Sequence, residues 1–177
     1  MKYVCEHRNG YTHTDGMKVL TPQTTELPVE NLEPTLYSAL KAQSDMHIRT
    51  NHISNQLLAD PGLSAEAALS ISASMDAWTQ TMPIYFQLDH QSSCQHRWYT
   101  FARSKMWWRF WNLKIIVFRH TALRHAISER GQIPDPVAQA KQEECTRLCV
   151  EAANDTVTSI HQYALQGLTR LEGWYAT

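Results

Sequence analysis

The stretch RWYTFARSKMWWRFWNLKIIVFRHTALRHAISER, Arg97–Arg130, decides the fold. At about 100° per residue, Phe101, Trp108, Trp111, Ile115, Phe118, Ala122 and Ala126 gather on one side of a helix. Trp107, Leu113 and Val117 fall outside that stripe and widen the apolar surface beyond what a surface helix carries. Large aromatic side chains are costly to leave in water, so such a segment needs cover on more than one side. The pattern predicts a long, central, buried helix, closed by Gly131 and Pro134.

The flanking segments read as helices that supply this cover. On the N-terminal side, Ser64 is suited to cap a helix in which Ala68, Ile71, Met75, Trp78 and Met82 recur at spacings of three, four, three and four. Pro83 ends it, and a polar stretch, Asp89 to Gln95, leads into the central helix. Earlier still, a helical pattern starts at Thr35. It places Leu36, Leu40, Ile53 and Leu57 on a face that runs to Leu58, and Asp60-Pro61-Gly62 stops it. On the C-terminal side, Asp135 followed by Pro136 is a helix start with proline at the first helical position. That last long helix carries Cys145, Leu148, Cys149, Ala152 and Ile160 on its apolar face, with Gly167 as a natural C-cap.

Residues 1–33 are polar, hold Gly10, Gly16, Pro22 and Pro28, and show no period, so they read as a lead-in. Residues 34–177 read as a single all-α domain, an irregular helical fold built on the central helix. Leu168, Leu171, Trp174 and Tyr175 restart an apolar pattern near the end of the sequence. The expectation is therefore an incomplete part of a larger helical domain, marginally stable and prone to self-association through uncovered apolar surface. Strand alternation, internal repeats and low-complexity tracts are missing from the sequence.

Composition narrows the class. With 43% hydrophobic residues, six Trp and seven Tyr in 177 residues, the chain has the material for a packed core. The net charge of −1 creates no global field toward nucleic acid or an anionic membrane. Cys5, Cys94, Cys145 and Cys149 form no disulfide-scaffold pattern, and the opening MKYVCEHRNG has no apolar signal core, which points to free thiols inside the cell. The run Ile115–Phe118, bounded by Lys114 and Arg119, falls far short of the roughly 20 residues of a membrane span.

Signals for catalysis are weak. Cys145 and Cys149 share a helix face, but a closed zinc site takes four ligands and no second pair supplies them, so both are expected to be buried, reduced and metal-free. His47/His52 and His120/His125 are five apart, which turns the rings away from each other on a helix. Gly62-Leu63-Ser64-Ala65-Glu66 lacks the last glycine of a nucleophile elbow and follows a helix instead of a strand. Glu143 and Glu144 are adjacent and splay apart. Phosphate loops and dinucleotide fingerprints do not occur, and a non-enzymatic chain is expected. One charge feature stands out. Between Asp89 and Glu129 no acidic residue occurs, while Arg97, Arg103, Lys105, Arg109, Lys114, Arg119 and Arg124 do. Interleaved with Trp, they suit either an interfacial membrane or nucleic-acid surface over 97–125, or pairing with acids such as Glu143, Glu144, Glu151 and Asp155.

Four segments carry a resemblance. Trp108-Arg109-Phe110-Trp111-Asn112-Leu113-Lys114-Ile115-Ile116-Val117-Phe118-Arg119 resembles the W-R-x-x-N-L-R-I-x-L-x-R-P segment of the middle homology region of fungal zinc-cluster transcription factors. Cys149-Val150-Glu151-Ala152-Ala153-Asn154-Asp155-Thr156-Val157 is similar to that region's C-x-E-A-A-x-x-T-I helix, at the expected separation. Trp78 through Pro83 to Tyr85-Phe86 resembles W-x-x-x-L-P-x-Y-F, and Glu33-Pro34-Thr35-Leu36-Tyr37-Ser38 an earlier helix start. His120 stands where the family has proline, and the family's six-cysteine zinc cluster has no counterpart in the sequence.

The resemblance implies an all-α regulatory or effector domain of a fungal transcription factor that controls RNA polymerase II transcription, located in the nucleus. It implies no cofactor and no direct DNA contact from this chain. Its partners would be other protein regions, further C-terminal helices or a small-molecule effector. Trp78, Trp108, Trp111, Ile115, Phe118, Leu148, Cys149 and Ala152 are the expected structural core. A stand-alone helical interaction module, or a truncated product without its own activity, is the alternative reading.

Overall fold

The computed structural model describes residues 33–90, 94, 96–128 and 135–166. Of these, 84% are helical and none is in a strand, so the fold is all-α. Among the described residues four α-helices follow in order: α1 (Leu36–Ala59), α2 (Ala65–Gln80), α3 (Arg97–Ser128) and α4 (Pro136–Leu165), with a 3-10 turn at Ile84–Phe86 before α3. The polar lead-in 1–32, the closing residues Gly131 and Pro134, the C-cap Gly167 and the apolar restart from Leu168 to Thr177 lie outside the described residues.

Helix starts follow the local chemistry of the chain. Thr35 and Ser38 form a reciprocal cap on α1: the Ser38 N–H donates to Thr35 Oγ1 at 3.1 Å and the Thr35 N–H to Ser38 Oγ at 2.9 Å. Ser64 Oγ accepts from the Ala67 N–H at 3.2 Å to open α2. Asp135 Oδ1 accepts from the Val137 N–H at 3.2 Å, with Pro136 inside the first turn of α4. Between α1 and α2, Asp60 makes the tight turn itself: its carboxylate accepts from the Gly62 N–H at 3.1 Å and its carbonyl from the Leu63 N–H at 3.2 Å.

α3 is the element the others pack on, most extensively α4, with α1 and α2 against its remaining sides. Tyr99, Met106, Trp107, Trp108, Phe110, Trp111, Leu113, Val117, Phe118 and Thr121 are all buried, which takes up well over half of the helix circumference, and Phe118 is 0% exposed; Asn112, Arg119 and His120 on the other side are exposed. The apolar side predicted from periodicity is only part of this. Phe101, Ile115 and Ala122 are half-buried and Ala126 is exposed.

α1 departs from its expected face. Ile53 is buried and Leu57 half-buried against the core, as the periodicity predicts, but Leu36, Leu40 and Leu58 are exposed, and the helix buries Ser38, Ala39, Ala42 and Met46 in their place. The buried positions in the first turns are thus the small residues Ser38, Ala39 and Ala42, while the leucines at 36 and 40 lie on the outer side. On α4, Cys145, Ala152 and Tyr163 are buried, while Leu148, Cys149 and Ile160 are half-buried against the core.

Trp111→Ala is expected to cost about 3–5 kcal/mol of stability, the range for large aromatic truncations in packed cores. Leu123→Ala on the same helix, where the leucine is 61% exposed, should stay within about 0.5 kcal/mol. Chemical denaturation of both variants checks the contrast.

Candidate functional site

The residues named from sequence converge on one aromatic core. Trp78, Trp108, Trp111, Phe118 and Ala152 are buried; Ile115, Leu148 and Cys149 pack half-buried at its edge. Trp78 of α2 stacks on Phe110 at 6.4 Å between ring centroids, and Trp107 lies 5.7 Å from Trp111. Trp108 meets Tyr163 of α4 edge-on at 5.3 Å, and its indole N–H donates to Ser159 Oγ at 3.0 Å. Buried indole and phenol groups need such polar partners. Tyr163 closes this cluster although the periodicity of α4 had not singled it out.

A second arrangement is absent from any sequence pattern. Tyr99, Arg103 and Trp107 stand four residues apart on one stripe of α3, and all three donate to backbone carbonyls of the segment 85–90. The Tyr99 hydroxyl donates to the Tyr85 carbonyl and the Trp107 indole N–H to that of Phe86 at 2.9 Å. Arg103 Nη2 reaches the carbonyls of Gln87, of Leu88 at 2.8 Å and of His90 at 3.2 Å. This non-repetitive segment has no neighbouring strand or helix to take its carbonyls, so the side chains of α3 do it. Farther along the helix, Arg124 Nη2 holds the Leu63 carbonyl of the α1–α2 turn at 2.5 Å.

Arg103 and Arg124 of α3 therefore bind loop carbonyls and not the α4 acids proposed from sequence. Lys114 Nζ instead binds Asp76 of α2 at 2.6 Å and lies 5.2 Å from the centroid of the Phe110 ring. Glu144 and Glu151 are taken by Arg147 of their own helix, and Glu143 accepts from Gln139. Asp155 feels Lys114 nearby, yet burial and the Glu151 charge raise its carboxyl pKa. Arg109 donates to His47 Nε2 of α1 at 2.8 Å; burial first, then Arg109 and Lys105, push the His47 pKa down and favour its neutral, accepting form. A surface for nucleic acid would need free cations and exposed rings. Arg103, Arg109, Lys114 and Arg124 are engaged, and Trp107, Trp108 and Trp111 are inside.

The nucleophile and metal candidates resolve similarly. Ser64 Oγ is occupied as a helix cap. Among the described residues no three His, Cys, Asp or Glu side chains lie close enough together to hold a metal ion. Cys145 is 0% exposed and its thiol faces the Ala65 carbonyl at 3.6 Å. Burial pushes its pKa up to about 11, with Glu144 and Cys149 adding to the shift, and burial also raises that of Cys149. No described helix is long and apolar enough to cross a membrane.

One open groove lies between α1 and α2, with a volume of about 460 Å³. Buried Ile53 and Met75 form its floor, and Asp45, Ile48, Arg49 and His52 of α1 line its side. No family model, no curated protein and no solved structure matches the chain.

The buried thiol makes a pH prediction. In the unfolded chain Cys145 ionises near its ordinary value of 9.0, whereas in the fold it stays protonated to about 11. Over that window the folded state holds the extra proton, so stability falls as pH rises, by at most about 1.4 kcal/mol per pH unit from this group. Denaturation curves between pH 8 and 11 should show a shallower alkaline loss for Cys145→Ala than for the parent chain.

Proposed function

We propose that the chain is a regulatory domain of the kind carried by fungal zinc-cluster transcription factors, acting in the nucleus through contacts with protein regions or an effector, and not by catalysis. The observation that supports this is the mutual packing of the segments that carry the resemblance. Trp78 and Phe86, from the W-x-x-x-L-P-x-Y-F-like stretch, contact Phe110 and Trp107 in or beside the W-R-x-x-N-L-like stretch. Ala152 of the C-x-E-A-A-like helix is buried in the same core, and Trp108 bonds to Ser159 one to two turns on. Packing patterns that are each weak in sequence thus belong to one physical unit. A domain of this composition, with engaged cations and capped hydroxyls, offers surfaces and a groove, which suit regulation better than bond-making.

The alternative, a helical interaction module unconnected with transcription, draws support from exposed apolar residues on two helices: Leu36, Tyr37 and Leu40 of α1, and Val150 and Val157 of α4.

The test is a reporter assay in a fungal host. The chain is placed between a heterologous DNA-binding domain and a constitutive activation segment, and transcription is compared with a fusion lacking it. The regulatory reading expects a several-fold change in output that Trp108→Ala abolishes and Leu123→Ala retains. Equal output from all fusions, at equal abundance and with the chain folded, would refute it.

A further inference from the structure

We infer that the groove between α1 and α2 binds a small organic monocarboxylate with an apolar body, held through Arg49. The inference stands on the groove alone and does not require the regulatory reading. Arg49 is the cation that the fold orients without using. Its guanidinium carbon lies over the Trp78 ring at 5.5 Å from the centroid, a cation–π contact that holds the head group beside the groove. Arg103, Arg109, Arg124 and Arg147 all donate to acceptors, but Arg49 has no hydrogen bond or ion pair among the described residues. Asp45, one turn earlier and the natural partner by spacing, faces Lys41 at 3.4 Å. The planar fork of N–H donors is therefore left to whatever enters the groove.

The remaining walls define the body of the ligand. Ile53 and Met75 are buried beneath the groove, and Ile48 stands at its side, 40% exposed. A volume of about 460 Å³ lies within the range of about 300–1,000 Å³ typical of small-molecule sites. With Asp45 offset by Lys41, the mouth carries the charge of Arg49, and His52 lies three residues along the same helix face. Such a site favours an anion with an apolar tail over a cation or a sugar. Guanidinium geometry matches a carboxylate through two parallel hydrogen bonds. Because the groove is open, binding should be weak, with a Kd of about 0.1–1 mM.

The experiment titrates the full chain with 3-phenylpropionate and, separately, with 3-phenylpropanol, which keeps the apolar body and removes the charge. Amide shifts in two-dimensional NMR report both the affinity and the place. The expected result is saturable binding of the acid, with shifts concentrated at 45–53 and 74–75, and at least about tenfold weaker binding of the alcohol. Arg49→Gln should weaken the acid by a similar factor, and Arg49→Lys by less, since lysine keeps the charge but not the fork. Arg147→Gln on α4 should leave affinity unchanged. No saturation up to about 10 mM, equal binding of acid and alcohol, shifts centred elsewhere, or undiminished affinity in a folded Arg49→Gln chain would each overturn the inference.

Discussion

A helix that is apolar over well more than half of its circumference is stable in water only when several other elements cover it, and α3 imposes that condition on the whole chain. Ten of its residues from Tyr99 to Thr121 are buried. α4 covers the largest share, α1 and α2 the rest, and the segment 82–90 lies along its N-terminal half. The condition has a polar consequence. Any loop folded onto such a helix brings backbone carbonyls away from water, and these must be met. Tyr99, Arg103, Trp107 and Arg124 meet them, so the same helix supplies both the apolar surface and the donors that fix the loops over it. Electrostatics in this fold is largely committed to architecture, which leaves Arg49, seated on Trp78, as a cation with a different use.

Helix existence was legible in the sequence, and so were the starts at Thr35, Ser64 and Asp135. Caps act through neighbours two or three residues away, so their chemistry can be read without knowing the tertiary fold. The two-sided burial of α3 was legible for a similar reason: no partial cover accommodates Trp107, Trp108, Trp111 and Leu113 together. The inner face of α1 was not. A large-residue stripe at Leu36 and Leu40 looks like a core face, but the buried residues of these turns are Ser38, Ala39 and Ala42, and such small residues leave little hydrophobic signal.

Partners of the charged residues were the least legible part. Sequence reasoning matches cations to carboxylates, because carboxylates can be seen in the sequence. Backbone carbonyls cannot, since every residue has one and only the fold decides which are stranded. Hence pairing with acids of α4 looks open to Arg103 and Arg124 in the sequence, whereas Glu144 and Glu151 are held by Arg147, three residues after the first and four before the second. The α1–α2 groove was invisible for the same reason: Arg49 and Met75 come together only through the crossing of two helices.

The central claim is that α3 is the most widely covered element, on which the other helices depend. Native-state amide hydrogen exchange tests it most directly, because it reads the opening free energy of each segment separately. The account predicts that amides at 106–118 exchange only through global unfolding, with protection equal to the full unfolding free energy, while the outer turns of α1 open locally at lower cost. Protection at 106–118 no greater than at 36–40 would contradict it.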